Sequence, residues 1–247
     1  DDPPRRRPSV RDRGRDIAFR VSADTIREIV GLYRGRSSAF VKGVGTGERD
    51  EADARAEIVC VMGDGTGMPM RRGCLRGVKG KDGRAKTREV KAGTIFVASK
   101  TRENEPHRDL DTTTYVATTH RTEKFGKLVR AEFDRRFGQV PETTLYITDG
   151  SRWLQTVWRN HFPFATPILD VYHALEHLKP MMLGLGIREG SKEWKYRHHY
   201  WSECIKAGKA RNVLDYIWKN MRARLGKDAM REYRYYRGNL GRMKYDE

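Results

Sequence analysis

The 247 residues suffice for one large or two small domains with a real core. Fifty Lys and Arg against 33 Asp and Glu give a formal charge of +17 and a pI of about 10.0; hydrophobic residues make up 37% and mean hydropathy is −0.80. That balance points to a polyanionic partner, the absence of an apolar run of about 20 residues argues against a membrane span, and Cys60, Cys74 and Cys204, without a CxxC pair, argue against a disulfide framework or structural zinc site and for a reducing compartment.

Asp1–Arg20 is rich in Pro and Arg and nearly devoid of apolar residues, the composition of a basic arm or a solvated tail. The chain opens on Asp1 rather than Met, and no signal-peptide pattern appears, so it is expected to be part of something longer. SADTIREIVGLYRG, from Ser22, reads as a short capped helix with Ile26, Ile29, Val30 and Tyr33 on one face. Phe40 to Ala54 is rich in glycine and acid and reads as a linker, which places a domain boundary near residue 55. Glu57 to Met70 begins as an apolar strand and is expected to end on Asp64-Gly65, a turn dipeptide. Arg71 to Val90 is a glycine-rich basic loop, and Arg71, Arg72, Arg76, Lys79, Lys81, Arg84, Lys86 and Arg88 are its candidate contacts to a nucleic-acid backbone.

Two strands follow, Arg88 to Lys100 and Asp111 to His120, joined by a polar connection around Asn104 to Arg108 as an antiparallel meander. Phe125, Leu128, Val129, Phe133 and Phe137 step at three or four residues and mark a helix over Glu123 to Phe137. TTLYIT, Thr143 to Thr148, alternates as a strand and stops at Asp149-Gly150. SRWLQTVWRNHF is then an amphipathic helix with Ser151 as its cap. The scheme repeats in ATPILDVYHALEHL: a short strand, Asp170 at its end, and a helix carrying His173, Glu176 and His177. Beyond Lys179-Pro180 the texture is helical, basic and aromatic. Its Trp and Tyr residues, Trp194, Tyr196, Trp201, Tyr216 and Trp218 among them, are either the core of a bundle or rings for stacking on bases.

Strand, strand, strand, helix, strand, helix, strand, helix is the order of an α/β ribonuclease H-like fold, a mixed sheet flanked by helices. The expected divisions are a basic arm with a short helical segment over 1–55, the catalytic core over 56–180 and a helical region over 181–247. Carboxylates at the ends of strands in such a sheet stand where ligands bind. Asp64 and Asp149 together suit Mg²⁺ or Mn²⁺, because a hard cation takes one or two carboxylates plus phosphate oxygens. Asp170, His173 and His177 also have ligand types at helical spacing and leave a zinc site as an alternative.

MGDGTGMPM, VKGKDGRAKTREVKAGTIF, DLDTTTYVATTHRTEKFG, TDGSRW and FPFATPILDVYHALEHL, in order over residues 57 to 185, resemble the DDE transposases of the ISKra-type bacterial insertion-sequence family. The resemblance implies Mg²⁺-dependent DNA strand cleavage and transfer in the bacterial cytoplasm at the nucleoid, with transposon ends and target DNA as partners and oligomers by analogy with transposases that pair two ends. It makes Asp64 and Asp149 the first two acids of the triad, with Asp170 and His173, the D-x-x-H, in support. The third acid, a glutamate, would follow a Gly-Ser-Gly type stretch. NLGRMKYDE resembles the segment just before that stretch, and Glu247 is not within such a motif. The alternative is a catalytically incomplete or domesticated relative acting as a DNA-binding module; a further one is a nuclease acting on RNA or a heteroduplex.

Overall fold

The computed structural model describes residues 39–43, 56, 58–69, 75, 86–100, 106–109 and 112–245. The basic arm, the helix expected from Ser22, and Arg71, Arg72, Arg76, Lys79, Lys81 and Arg84 lie outside the described residues. Seven strands among them form one sheet: β1 (Ala39–Gly43), β2 (Ile58–Pro69), β3 (Thr87–Lys100), β4 (Pro106–Arg108), β5 (Thr114–Thr118), β6 (Thr143–Thr148) and β7 (Thr166–Leu169). Their order is β1-β5-β3-β2-β6-β7, with β4 against β3. The pairings β1/β5, β5/β3, β3/β4 and β3/β2 are antiparallel. By contacts the chain divides into a unit of residues 1–146 and 152–166 and a second of residues 147–151 and 167–247.

Two expectations fail at the start of the chain. Phe40 to Gly43, read as linker, belongs to β1, which pairs with β5 from Ala39↔Thr118 to Gly43↔Thr114. Asp64-Gly65 is not a turn: β2 runs on to Pro69, and Asp64 pairs opposite Ala92 with Gly65 opposite Lys91. The turn preference of Asp-Gly is local and weak, whereas twelve paired positions against β3 supply a ladder that overrides it. The polar connection before β5 likewise contains a short strand, β4.

One face of the sheet in the first unit is set by a pair of glycines. Gly63 and Gly93 stand opposite one another, and a Cβ on Gly63 would lie 2.5 Å from Leu154 Cδ2, one on Gly93 2.8 Å from Val129 Cγ2. Their missing side chains let helices α1 (Thr122–Arg136) and α2 (Arg152–His161) settle close to the strands. Phe125, Val129 and Phe133 of α1, Leu154 and Val157 of α2, and Val59, Val61, Ile95 and Tyr146 of the strands make this core. Each such side chain, fully removed from water, contributes roughly 1.5–3 kcal/mol. Buried Arg136 donates to the Ile95 carbonyl at 2.9 Å and to Thr114 Oγ1 at 3.2 Å, which fixes the end of α1 on β3 and β5.

The second unit is built from α3 (Val171–Glu176), α4 (Leu178–Gly184), α5 (Lys192–Lys206), α6 (Ala210–Met221) and α7 (Lys227–Asn239). The helix expected to carry His173, Glu176 and His177 ends at Glu176, and α4 starts at Leu178; Pro180 has no N–H to offer the Glu176 carbonyl. A Cβ on Gly184 would lie 2.6 Å from the Ala229 backbone nitrogen, so α4 and α7 touch backbone to backbone. Ser191 caps α5, its Oγ accepting from Trp194 N at 3.1 Å, an arrangement worth about 1 kcal/mol. Leu169, Leu178, Met181, Trp201, Leu214, Ile217 and Tyr236 fill the core. Trp194, Trp201, Tyr233 and Tyr236 are thus packing residues, whereas Tyr196, Tyr200, Tyr216 and Trp218 remain exposed. Among the described residues no helix is long and apolar enough to cross a membrane.

Candidate active site

In the second unit, two strand ends meet. Asp170 N donates to the Thr148 carbonyl at 2.8 Å, so β6 and β7 finish side by side at the same end, as parallel strands joined by a crossover helix do. Each strand therefore releases an aspartate at its C-terminal edge: Asp149 after β6 and Asp170 after β7. Both carboxylates are held locally. Asp149 Oδ1 accepts from Ser151 N at 2.8 Å, and Asp170 Oδ1 accepts from Tyr172 N at 2.8 Å, which makes Asp170 the cap of α3. The cap role expected of Ser151 is not taken up; its Oγ is buried without a hydrogen-bond partner among the described residues. The carboxylate two residues upstream reaches the backbone instead, leaving the hydroxyl in place beside the turn.

The third wall of this place is α7, which the sequence reading assigned to packing or base stacking. Tyr235 OH donates to the Asp149 carbonyl at 3.1 Å. Gly150, at φ +84°, would crowd Leu169 Cδ1, Asn239 Oδ1 and Tyr235 OH at 2.9, 3.3 and 3.4 Å if it carried a Cβ. The His177 ring stacks on Tyr235 with centroids 3.6 Å apart, and His177 Nδ1 lies 2.6 Å from Oε2 of buried Glu232. Arg231 Nε holds the other Glu232 oxygen at 2.8 Å. Burial, then the Asp149 charge, pushes the Tyr235 hydroxyl above its usual range, with Arg242 opposing. Burial, then Asp170, does the same to Tyr245, whose OH is buried and has no hydrogen-bond partner among the described residues.

Of the residues singled out in the sequence, Asp149 and Asp170 are thus brought together. His173, also in this unit, has its Nδ1 3.5 Å from Glu176 Oε2 at the surface of α3. Of the alternative zinc set of Asp170, His173 and His177, His177 Nδ1 is bonded to Glu232 and Asp170 Oδ1 to the start of α3. Among the described residues no group of three or more His, Cys, Asp and Glu is arranged to hold a metal ion. Glu232, Tyr235 and Asn239 recur at three and four residues along α7, a helical face that periodicity reveals, but their partners 55 and 86 residues upstream are not legible in it.

Asp64 belongs to the first unit, midway along β2 and half-buried, on the face opposite the one to which Gly63 admits Leu154. Its Oδ1 accepts from Gly65 N at 2.6 Å. Behind Gly65, on the helix side, Lys91 is buried in an ion pair with Glu89, its ammonium 5.3 Å from the Trp153 ring. Lys86 is exposed just before β3, and Arg88 lies within β3 opposite Met68, so the end of the expected basic loop is strand. Compared with known proteins, the chain matches no family model and no curated protein.

Proposed function

We propose that this chain is a DNA transposase core of ribonuclease H-like fold, akin to the ISKra-type DDE enzymes, that cleaves and transfers DNA strands with Mg²⁺ or Mn²⁺ at Asp64 and Asp149. The observation that carries the reading is the meeting of β6 and β7, which releases Asp149 and Asp170 from adjacent strand ends. The mixed strand order β1-β5-β3-β2-β6-β7 supports it. A formal charge of +17 suits DNA as the partner.

What supports a hard cation is a set of oxygen donors in the second unit. Asp149 and Asp170 each use one carboxylate oxygen on a backbone N–H, and the buried hydroxyls of Ser151 and Tyr245 in the same unit have no hydrogen-bond partner among the described residues. Asp64 and Asp149 would hold the metal, which when bound supplies charge stabilisation and an activated oxygen nucleophile. Asp170 holds the start of α3, and Tyr235 anchors the Asp149 turn through its carbonyl. The basic arm and the basic stretch over Arg71 to Lys86 would follow the phosphate backbone, in a nucleoid-associated protein that pairs two transposon ends as an oligomer.

The test is DNA strand cleavage and transfer with Mg²⁺ by the wild type and by Asp64→Asn and Asp149→Asn. Each substitution is expected to lower the rate by at least about a hundredfold, the scale of a lost electrostatic contact to the reacting centre. Activity retained by either variant refutes the assignment. The second reading, a DNA-binding relative that does not cut, is favoured by the third glutamate, since Glu247 is not within the motif that would carry it. It expects salt-dependent DNA binding with no Mg²⁺-dependent product.

A further inference from the structure

Among the described residues of the second unit, the exposed large hydrophobics are Leu183, Tyr196, Tyr200, Tyr216 and Trp218, so four of the five are aromatic and sit on the consecutive helices α5 and α6. Tyr196 and Tyr200, one turn apart on α5, are 69% and 54% exposed, with rings parallel to within 4° and centroids 6.1 Å apart. Arg197 flanks them. Its guanidinium stands 5.2 Å from the Tyr216 ring on α6 and 5.5 Å from the buried Trp201 ring, and its Nε bonds Glu193 Oε1 at 2.8 Å. Tyr216 thereby continues the aromatic surface from α5 onto α6. Trp218, two residues on and some 200° round the helix, falls on the other flank with Arg222 and Tyr233.

Charge selects the occupant. Both acids of α5 are tied to cations of the same helix, Glu193 to Arg197 and Glu203 to Lys206. Lys192 and Lys195, exposed on the turn before Tyr196, make no ion pair among the described residues. An apolar protein partner would call for aliphatic side chains on this face, and no exposed Leu, Ile, Val or Met is found on α5 or α6. Parallel rings interleaved with cations suit flat, negatively flanked groups.

We propose that the Tyr196–Tyr200 face of α5, bordered by Arg197 and Tyr216, is a stacking platform for unpaired nucleotides of a DNA strand. It takes from the functional reading only that DNA is the partner, and it acts without metal. The probes are a fluorescein-labelled 20-nucleotide oligo(dT) and a duplex of equal length, titrated in EDTA with the full chain. Stacking contributes about 1–3 kcal/mol per base, so the Tyr196→Leu/Tyr200→Leu variant is expected to bind oligo(dT) about tenfold or more weakly. Its duplex affinity and the salt dependence of its binding should stay within twofold of wild type, and Tyr196→Phe/Tyr200→Phe should bind as wild type does. Unchanged oligo(dT) affinity in the Leu variant overturns the proposal. So does an equal loss on duplex, or wild-type self-association in sedimentation that the Leu variant abolishes, which would make the face an interface between copies. Because the readout is binding in EDTA, failure here leaves the cleavage test of Asp64 and Asp149 standing, and failure there leaves this one.

Discussion

Replacing Gly150 by alanine probes the turn that carries Asp149. Two costs add. At φ +84° a residue with a Cβ is disfavoured by about 1–2 kcal/mol, and the new methyl would stand 2.9 Å from Leu169 Cδ1 and 3.3 Å from Asn239 Oδ1, overpacking that costs about 1–3 kcal/mol. Gly186→Ala is the matched control, since φ is +73° there and nothing lies within 4 Å of the added Cβ; only the first cost applies. Urea unfolding followed by far-UV circular dichroism and tryptophan fluorescence should therefore show Gly150→Ala destabilised by about 2–5 kcal/mol and Gly186→Ala by about 1–2 kcal/mol. The difference measures how tightly α7 and β7 enclose the turn. If the two variants lose the same stability to within about 0.5 kcal/mol, the enclosure of Asp149 described above is wrong.

Three further outcomes follow from the buried groups. Burial raises the Cys60 thiol from 9.0 to about 12, so the folded chain holds a proton that the unfolded chain has lost between those values; stability on this account falls as pH rises from about 9 towards 12, and Cys60→Ala should flatten that decline in denaturation curves taken across the range. The same burial predicts that Cys60 resists alkylation by iodoacetamide at pH 8 until denaturant is added, as peptide mapping would read. Glu232→Ala strands His177 and should cost about 2–4 kcal/mol, and a double-mutant cycle with His177→Ala should return a coupling of about 1–2 kcal/mol; additive effects would mean the 2.6 Å contact carries no energy.

Residue pattern alone determined the periodic elements. The helix on Phe125, Val129 and Phe133, the strand TTLYIT and the strand before Asp170 occur as spacing dictates, because alternation and the 3.6-residue repeat are local consequences of burying one face. Pattern also marked Asp149 and Asp170, as carboxylates just past apolar strands. What the sequence hid was decided by partners far along the chain. Asp64-Gly65 carries a turn signal, yet β3 pairs with it and keeps it in a strand. Ser151 looks like a cap, yet the Asp149 carboxylate reaches its N–H first. Tyr235 and Glu232 look like any residues of a basic helix until the docking of α7 sets them on the Asp149 turn and His177. Local preferences are worth about 1 kcal/mol or less per residue, so they prevail where burial agrees with them and yield where a strand ladder or a packed helix offers several times as much.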